Sequence, residues 1–231
     1  MKTIHGAIFA ATLSSTSPLW GADFTVNTAV TSGQTLNDGN TGVVTSEGSV
    51  TTSGSTAGVM ITPTTTTNSI ITLTNNGTIS QTGTGRAVRN NTSNKTSRIV
   101  INNNGTLSSV GDDTVKIADS TATIIINNQG TIIKQGSMAD SGQALDFRNS
   151  NATMGNTIIN GSVSNTSALI KSEGDDAIRP SHNMSIVNYG TIISTGPVNT
   201  KCVGTCSGDP KAHDGIDVGD KTGVQIDKGL E

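Results

Sequence analysis

A five-residue unit, Asn-x-Gly-Thr-Ile or its Leu variant, returns four times, and its spacing constrains the fold more than any other feature of the chain. The copies are Asn75-Asn76-Gly77-Thr78-Ile79, Asn103-Asn104-Gly105-Thr106-Leu107, Asn128-Gln129-Gly130-Thr131-Ile132 and Asn188-Tyr189-Gly190-Thr191-Ile192. Weaker copies stand at Gly48-Ser49-Val50 and Gly161-Ser162-Val163, with a further start at Gly229-Leu230. Successive glycines lie 29, 28, 25, 31 and 29 residues apart, and the last step, from Gly190 to Gly229, is 39. A fixed period of this size marks a unit that stacks on its own copies. It is too short for a propeller blade and carries no helical spacing.

Two strands are legible in each repeat. Before the glycine, Ile71/Leu73, Ile99/Ile101, Ile124/Ile126 and Met184/Ile186 alternate with polar residues, which puts them on one face of a strand. About eleven residues after it, Val59, Val88, Val115, Leu145, Ile178 and Ile216 form one column. Asn90, Ile117, Phe147, Pro180 and Val218 follow two residues on, facing the same way. A strand with a single apolar face cannot bury it alone, whereas parallel pairing with its copy in the next coil does. The expected fold is all-β: a right-handed parallel β-helix, or β-solenoid, of about seven coils with a period near 28 residues. At about 4.8 Å per coil the rod would be roughly 34 Å long.

Asn75, Asn103, Asn128 and Asn188 each stand two residues before the repeat glycine, in phase with the inward column. Stacked at strand spacing, their amides can bond to one another along the rod as a structural ladder. The glycine beyond suits a turn with positive φ. Two outward columns carry charge: Arg86, Asp113, Gln143, Asp176, Asp214, and beside it Arg89, Lys116, Asp146, Arg179, Asp217. Signs alternate between many neighbours, and the expectation is a solvated face whose pairs are each worth about 0–1 kcal/mol.

Composition narrows the function. Among 231 residues there are 37 Thr, 22 Asn and 27 Gly, but one Trp, one Tyr and three Phe, so no ordinary globular core can form. The net charge of −3 argues against nucleic acid, which selects a basic stripe. Residues 1–22 resemble a secretory signal: Lys2 gives a positive start, Ile4 to Leu13 a short apolar run, and Ala22 a cleavage position before Asp23. An exported chain would oxidise the pair Cys202 and Cys206 to a disulfide. They lie in the over-length repeat, at about 195–214, where Pro197, Gly204, Gly208 and Pro210 oppose a strand. That stretch reads as an inserted loop with Lys201, Lys211 and His213 as binding candidates.

Repeats of the form I-x-N-x-G-T-I followed by G-x-A-I-x-I, with Asp23-Phe24-Thr25-Val26 as a mature start, resemble the passenger domains of autotransporters, the type V secreted proteins of Gram-negative bacteria. The resemblance covers roughly residues 23–231. It implies display at the cell surface or release from it, adhesion to host or neighbouring cell-surface molecules, and a C-terminal membrane β-barrel translocator that this stretch lacks.

An enzymatic reading competes with adhesion. Gly174-Asp175-Asp176 is similar to the Gly-Asp-Asp motif of polygalacturonase-type glycoside hydrolases, where paired carboxylates act as acid and base. Asp112-Asp113 repeats the pair one column away and His182 follows, but that family's other motifs are absent. No G-x-S-x-G nucleophile motif occurs. Cys202, Cys206 and His213 match no common zinc spacing. The sequence therefore points to a non-catalytic surface or adhesive β-helix without metal or cofactor, Asp175 and Asp176 being its only catalytic candidates. A carbohydrate-cleaving enzyme and a structural stalk for a distal effector domain are the alternatives.

Overall fold

The computed structural model describes residues 23–63, 69–90, 98–118, 120–136, 142–148, 150, 155–196, 214–218, 222 and 224–228. Three parallel sheets of eight, seven and six strands run side by side, and each turn of the chain gives one strand to each. One complete turn illustrates the pattern. Arg98–Asn103 lies in the first sheet, Thr106–Ser109 in the second, and Val115–Lys116 in the third. Ile99 and Ile101 point inward, Gly105 turns the corner, and Leu107 then Val115 carry the core onward. Packed end to end, these side chains make one continuous β-branched core from Val26 to Ile186.

The β-solenoid and its period are as the repeats imply, with two corrections. The turn contains three strands rather than two, because the Thr-Ile pair after each glycine forms a short strand of its own. The period near 28 holds for five turns, not seven: matched positions step by 31 from Val44 to Asn75, then by 28, 25, 32 and 28 to Asn188. The first turn, Val26 to Val44, takes 18 residues, and the last, Asn188 to Lys228, takes 40.

The copy at Gly161-Ser162-Val163 is misplaced. Residues 161–167 form an outward excursion pinned by a Ser162–Asn165 bridge, and Val163 is 71% exposed. The strand in that turn is Leu169–Ser172, and buried Ala168 fills the glycine slot. Gly229-Leu230 lies outside the described residues.

Of the described repeat glycines only Gly161 has a positive φ, +80°; Gly48, Gly77, Gly105, Gly130 and Gly190 do not serve one. They let coils approach. A Cβ on Gly77, Gly105 or Gly130 would stand 2.2, 2.0 or 2.1 Å from the carbonyl oxygen of the glycine one coil below. That same oxygen accepts the N–H of Thr78, Thr106 or Thr131 at 3.2, 2.8 and 2.8 Å.

The ladder forms, with a fifth rung. Asn75 donates to Asn103 at 2.8 Å, Asn103 to Asn128 at 2.7 Å, Asn128 to Asn160 at 2.7 Å, and Asn160 to Asn188 at 2.8 Å. Each of the first four also donates to a carbonyl at the start of the next coil's second-sheet strand. The ladder thus ties the first sheet to the second along their common corner. It begins on a defect: Oδ1 of Asn75 is buried without a hydrogen bond, because Val44 occupies the rung below. Val44→Asn should therefore stabilise the rod by about 1 kcal/mol, moving the bare acceptor toward the terminal coil at Val26. Val88→Asn, equally buried but stacked between Val59 and Val115, should lose stability in the same urea titration. Equal losses for both would show that the acceptor at Asn75 does not limit the ladder.

Candidate functional site

The corner between the second and third sheets carries the charge. Registration of Val115 on Leu145 and of Leu145 on Ile178 stacks Asp112, Gly142 and Asp175 in one column and Asp113, Gln143 and Asp176 in the next. Gly142 has φ +114°, and a Cβ there would lie 2.7 Å from the Asp113 nitrogen. A side chain is thus excluded between the carboxylates of Asp112 and Asp175, and the gap is the floor of an open polar cleft of about 320 Å³. Asp112, Asp113, Asp175, Lys116, Arg148 and Arg179 line it.

Two groups of ion pairs climb through it, joined by Gln143. Arg86 holds Asp112 at 2.6 Å and Asp113 at 3.1 Å. Lys116 bridges Asp113 at 3.1 Å and Asp146 at 2.8 Å. Arg179 joins Asp175 and Asp176, both at 2.8 Å. Gln143 links the coils: its backbone N–H donates to Asp113 at 3.0 Å and its Nε2 to Asp175 at 2.6 Å. The columns Arg86/Asp113/Gln143/Asp176 and Arg89/Lys116/Asp146/Arg179 stand in the order the spacing predicts. They are not, however, a solvated face. Asp113, Asp146, Asp175 and Asp176 are all buried, and breaking such a pair costs about 3–5 kcal/mol rather than the small value of an exposed one. The difference comes from the corner turns, which fold over the carboxylates and leave the cations at the rim.

Protonation follows this layout. Burial raises Asp112 above the ordinary carboxylate range, and the neighbouring Asp113 charge adds to the rise. For Asp113 burial also works upward, but Lys116, the Gln143 N–H and Arg86 outweigh it and hold the carboxyl below its usual value. Burial works downward at Lys116 and Arg179, but the carboxylates of Asp113 and Asp146 at the first, and of Asp176, Asp175 and Asp146 at the second, outweigh it and raise both pKa values. Lys134 is the exception. It is fully buried beside this corner, its ammonium donates to the Gln135 carbonyl at 2.7 Å, and burial lowers its pKa.

Asp175 and Asp176 therefore sit together at the cleft, each claimed by Arg179. His182 lies at a different corner, where Nδ1 accepts the Thr222 N–H at 3.2 Å. Cys202, Cys206, Lys201, Lys211 and His213, with 197–213 of the inserted loop and the proposed signal at 1–22, lie outside the described residues. The sequence reading missed Arg148, Gly142 and Lys134. Arg148 follows the inward Phe147, and the cleft it borders depends on the absence of a side chain at Gly142. Among the described residues no group of three or more His, Cys, Asp or Glu is placed to hold a metal ion. Among the same residues no helix is long and apolar enough to cross a membrane.

No family model matches the sequence, and neither the curated proteins nor the solved structures give a match.

Proposed function

We propose that this chain is the passenger-type rod of an exported protein, displayed on or released from a Gram-negative cell, and that it acts in adhesion or surface interaction without chemistry of its own in this region. Its partners are host or neighbouring cell-surface molecules, and the full-length protein would carry a membrane β-barrel translocator. The fold and the repeat pattern support the passenger reading. The observation that carries the non-catalytic part is the pairing of the cleft carboxylates. A glycosidase needs one carboxyl free to give a proton and another free to attack or to activate water. Here Arg179 bonds both Asp175 and Asp176, and Gln143 adds a second bond to Asp175. Such a site holds charge in a fixed pattern, which suits recognition.

The test uses the purified chain. Beads coated with it should attach to epithelial or bacterial cell layers above albumin-coated beads, while incubation with pectin releases no reducing ends. Reducing ends that vanish in Asp175→Asn would replace this reading with the polysaccharide-cleaving one. If neither attachment nor cleavage occurs, the rod is a stalk.

A further inference from the structure

We infer that the cleft between the second and third sheets binds a single sugar residue bearing a carboxylate, a uronic or nonulosonic acid, with the Arg148 guanidinium taking the carboxylate. This rests on the reading of the chain as a binding rod and specifies what the rod binds. Of the three cations that line the cleft, Arg148 is the one not committed to a close ion pair. Lys116 is clamped between Asp113 and Asp146, and Arg179 between Asp175 and Asp176. Among the described residues the Arg148 side chain has one polar contact, Nε to Asp146 Oδ1 at 3.5 Å, beyond good hydrogen-bond length, and it is 45% exposed at the rim. Asp146 is itself held by Lys116 at 2.8 Å and accepts the Arg148 backbone N–H at 3.2 Å, so it does not depend on the Arg148 guanidinium. The terminal fork of Arg148 therefore faces the cleft, in the planar geometry that receives a carboxylate through two parallel bonds.

Asp112, also in the lining, supplies acceptors. Asp112 is 34% exposed and is fixed by Arg86 and by the Asp113 N–H, which leaves lone pairs on its carboxylate turned to the cleft. Those lone pairs receive hydroxyl groups. The missing side chain at Gly142 leaves the space between Asp112 and Asp175. At about 320 Å³ the cleft is at the lower end of ligand sites, fitting one ring rather than a polymer run. Its walls carry three acids and three bases, so the site is balanced and selects a hydroxylated monoanion over a polyanion. Among the described residues no aromatic ring lines it, so recognition runs through hydrogen bonds and the ion pair. The affinity should be weak, with Kd on the order of 0.1–1 mM, and adhesion would gain strength from many displayed copies.

Isothermal titration of the whole chain with galacturonate, glucuronate and N-acetylneuraminate, beside galactose, glucose and galacturonate methyl ester, tests this. At least one acidic sugar should bind, the neutral sugars and the ester at least about tenfold more weakly. Arg148→Ala should weaken the acidic sugar about tenfold or more, and Arg148→Lys should recover part of the loss, with the melting midpoint unchanged. The ester comparison needs no variant, so it decides the point even if Arg148→Ala perturbs the fold. Equal binding of galactose and galacturonate, an unaffected Arg148→Ala variant, or no acidic sugar bound at about 10 mM overturns the assignment. Bead attachment that persists in excess soluble galacturonate, glucuronate and N-acetylneuraminate overturns the acidic-sugar assignment and leaves the adhesive reading standing.

Discussion

Asn103→Asp should leave the rod stable near pH 4 and largely unfold it by pH 7. Nδ2 of Asn103 donates to three oxygens, those of Asn128, Thr131 and Gly105, at 2.7, 3.1 and 3.2 Å. A carboxylate there turns a second oxygen on the same three acceptors, in a site with no exposure. Burial and the lone-pair clash both disfavour the charged form, so the folded-state pKa rises above the unfolded value of about 3.9. A raised acid pKa means that the folded chain holds its proton longer. The stability is present below the unfolded pKa and is lost as pH climbs through the folded one. For a rise of about three units the loss by pH 7 is on the order of 4 kcal/mol. Urea midpoints at the two pH values measure it. Asn103→Ala gives the baseline, costing about 1–3 kcal/mol for each bare partner, with no pH dependence of its own. Asn104→Asp is the control, since Asn104 belongs to an exposed pair with Asn76. If the two Asp variants melt alike at pH 7, the inward placement of Asn103 is wrong.

Gly105→Ala should cost about 3 kcal/mol or more, and Gly54→Ala about 1–2 kcal/mol. This reverses the usual ranking, in which a positive φ identifies the glycine that cannot be replaced. Gly54 has φ +59°, but a Cβ on it meets nothing within 4 Å. Gly105 has an ordinary φ, yet its Cβ would stand 2.0 Å from the Gly77 oxygen, and 2.9 Å from the carbonyl carbons of Asn76 and Gly77. Relief requires moving that oxygen, which breaks its bond from Thr106. Guanidinium denaturation of the two variants compares them directly, and a larger loss at Gly54 would falsify the close-approach account.

These two sites also show what could be read from the chain alone. The column Val59, Val88, Val115, Leu145, Ile178 was legible because apolar alternation fixes the face of a strand and a constant offset fixes its register. Asn160 was hidden because the expected marker, a glycine two residues on, is absent: Gly161 follows directly and Ala168 fills the slot. Periodicity counts residues, whereas the slot is defined by the distance between coils. The cleft was illegible for another reason. Asp113 and Asp146 look like surface charges in sequence, and only the stacking of corner turns from three coils buries them. Arg148 becomes notable only once Lys116 is seen to have taken its partner.

Turn lengths of 18, 25, 28, 31, 32 and 40 residues coexist in one rod without a break in register. Axial height is set by interstrand hydrogen bonds, about 4.8 Å per turn, whatever the contour of the turn. Perimeter and pitch are thus decoupled. The excursion at 161–167 enlarges the girth of one turn while the Asn128, Asn160 and Asn188 amides keep their spacing through it. Such a chain can acquire or shed lateral fringes, one coil at a time, and remain the same length, so its outline is free to vary while its axis is not.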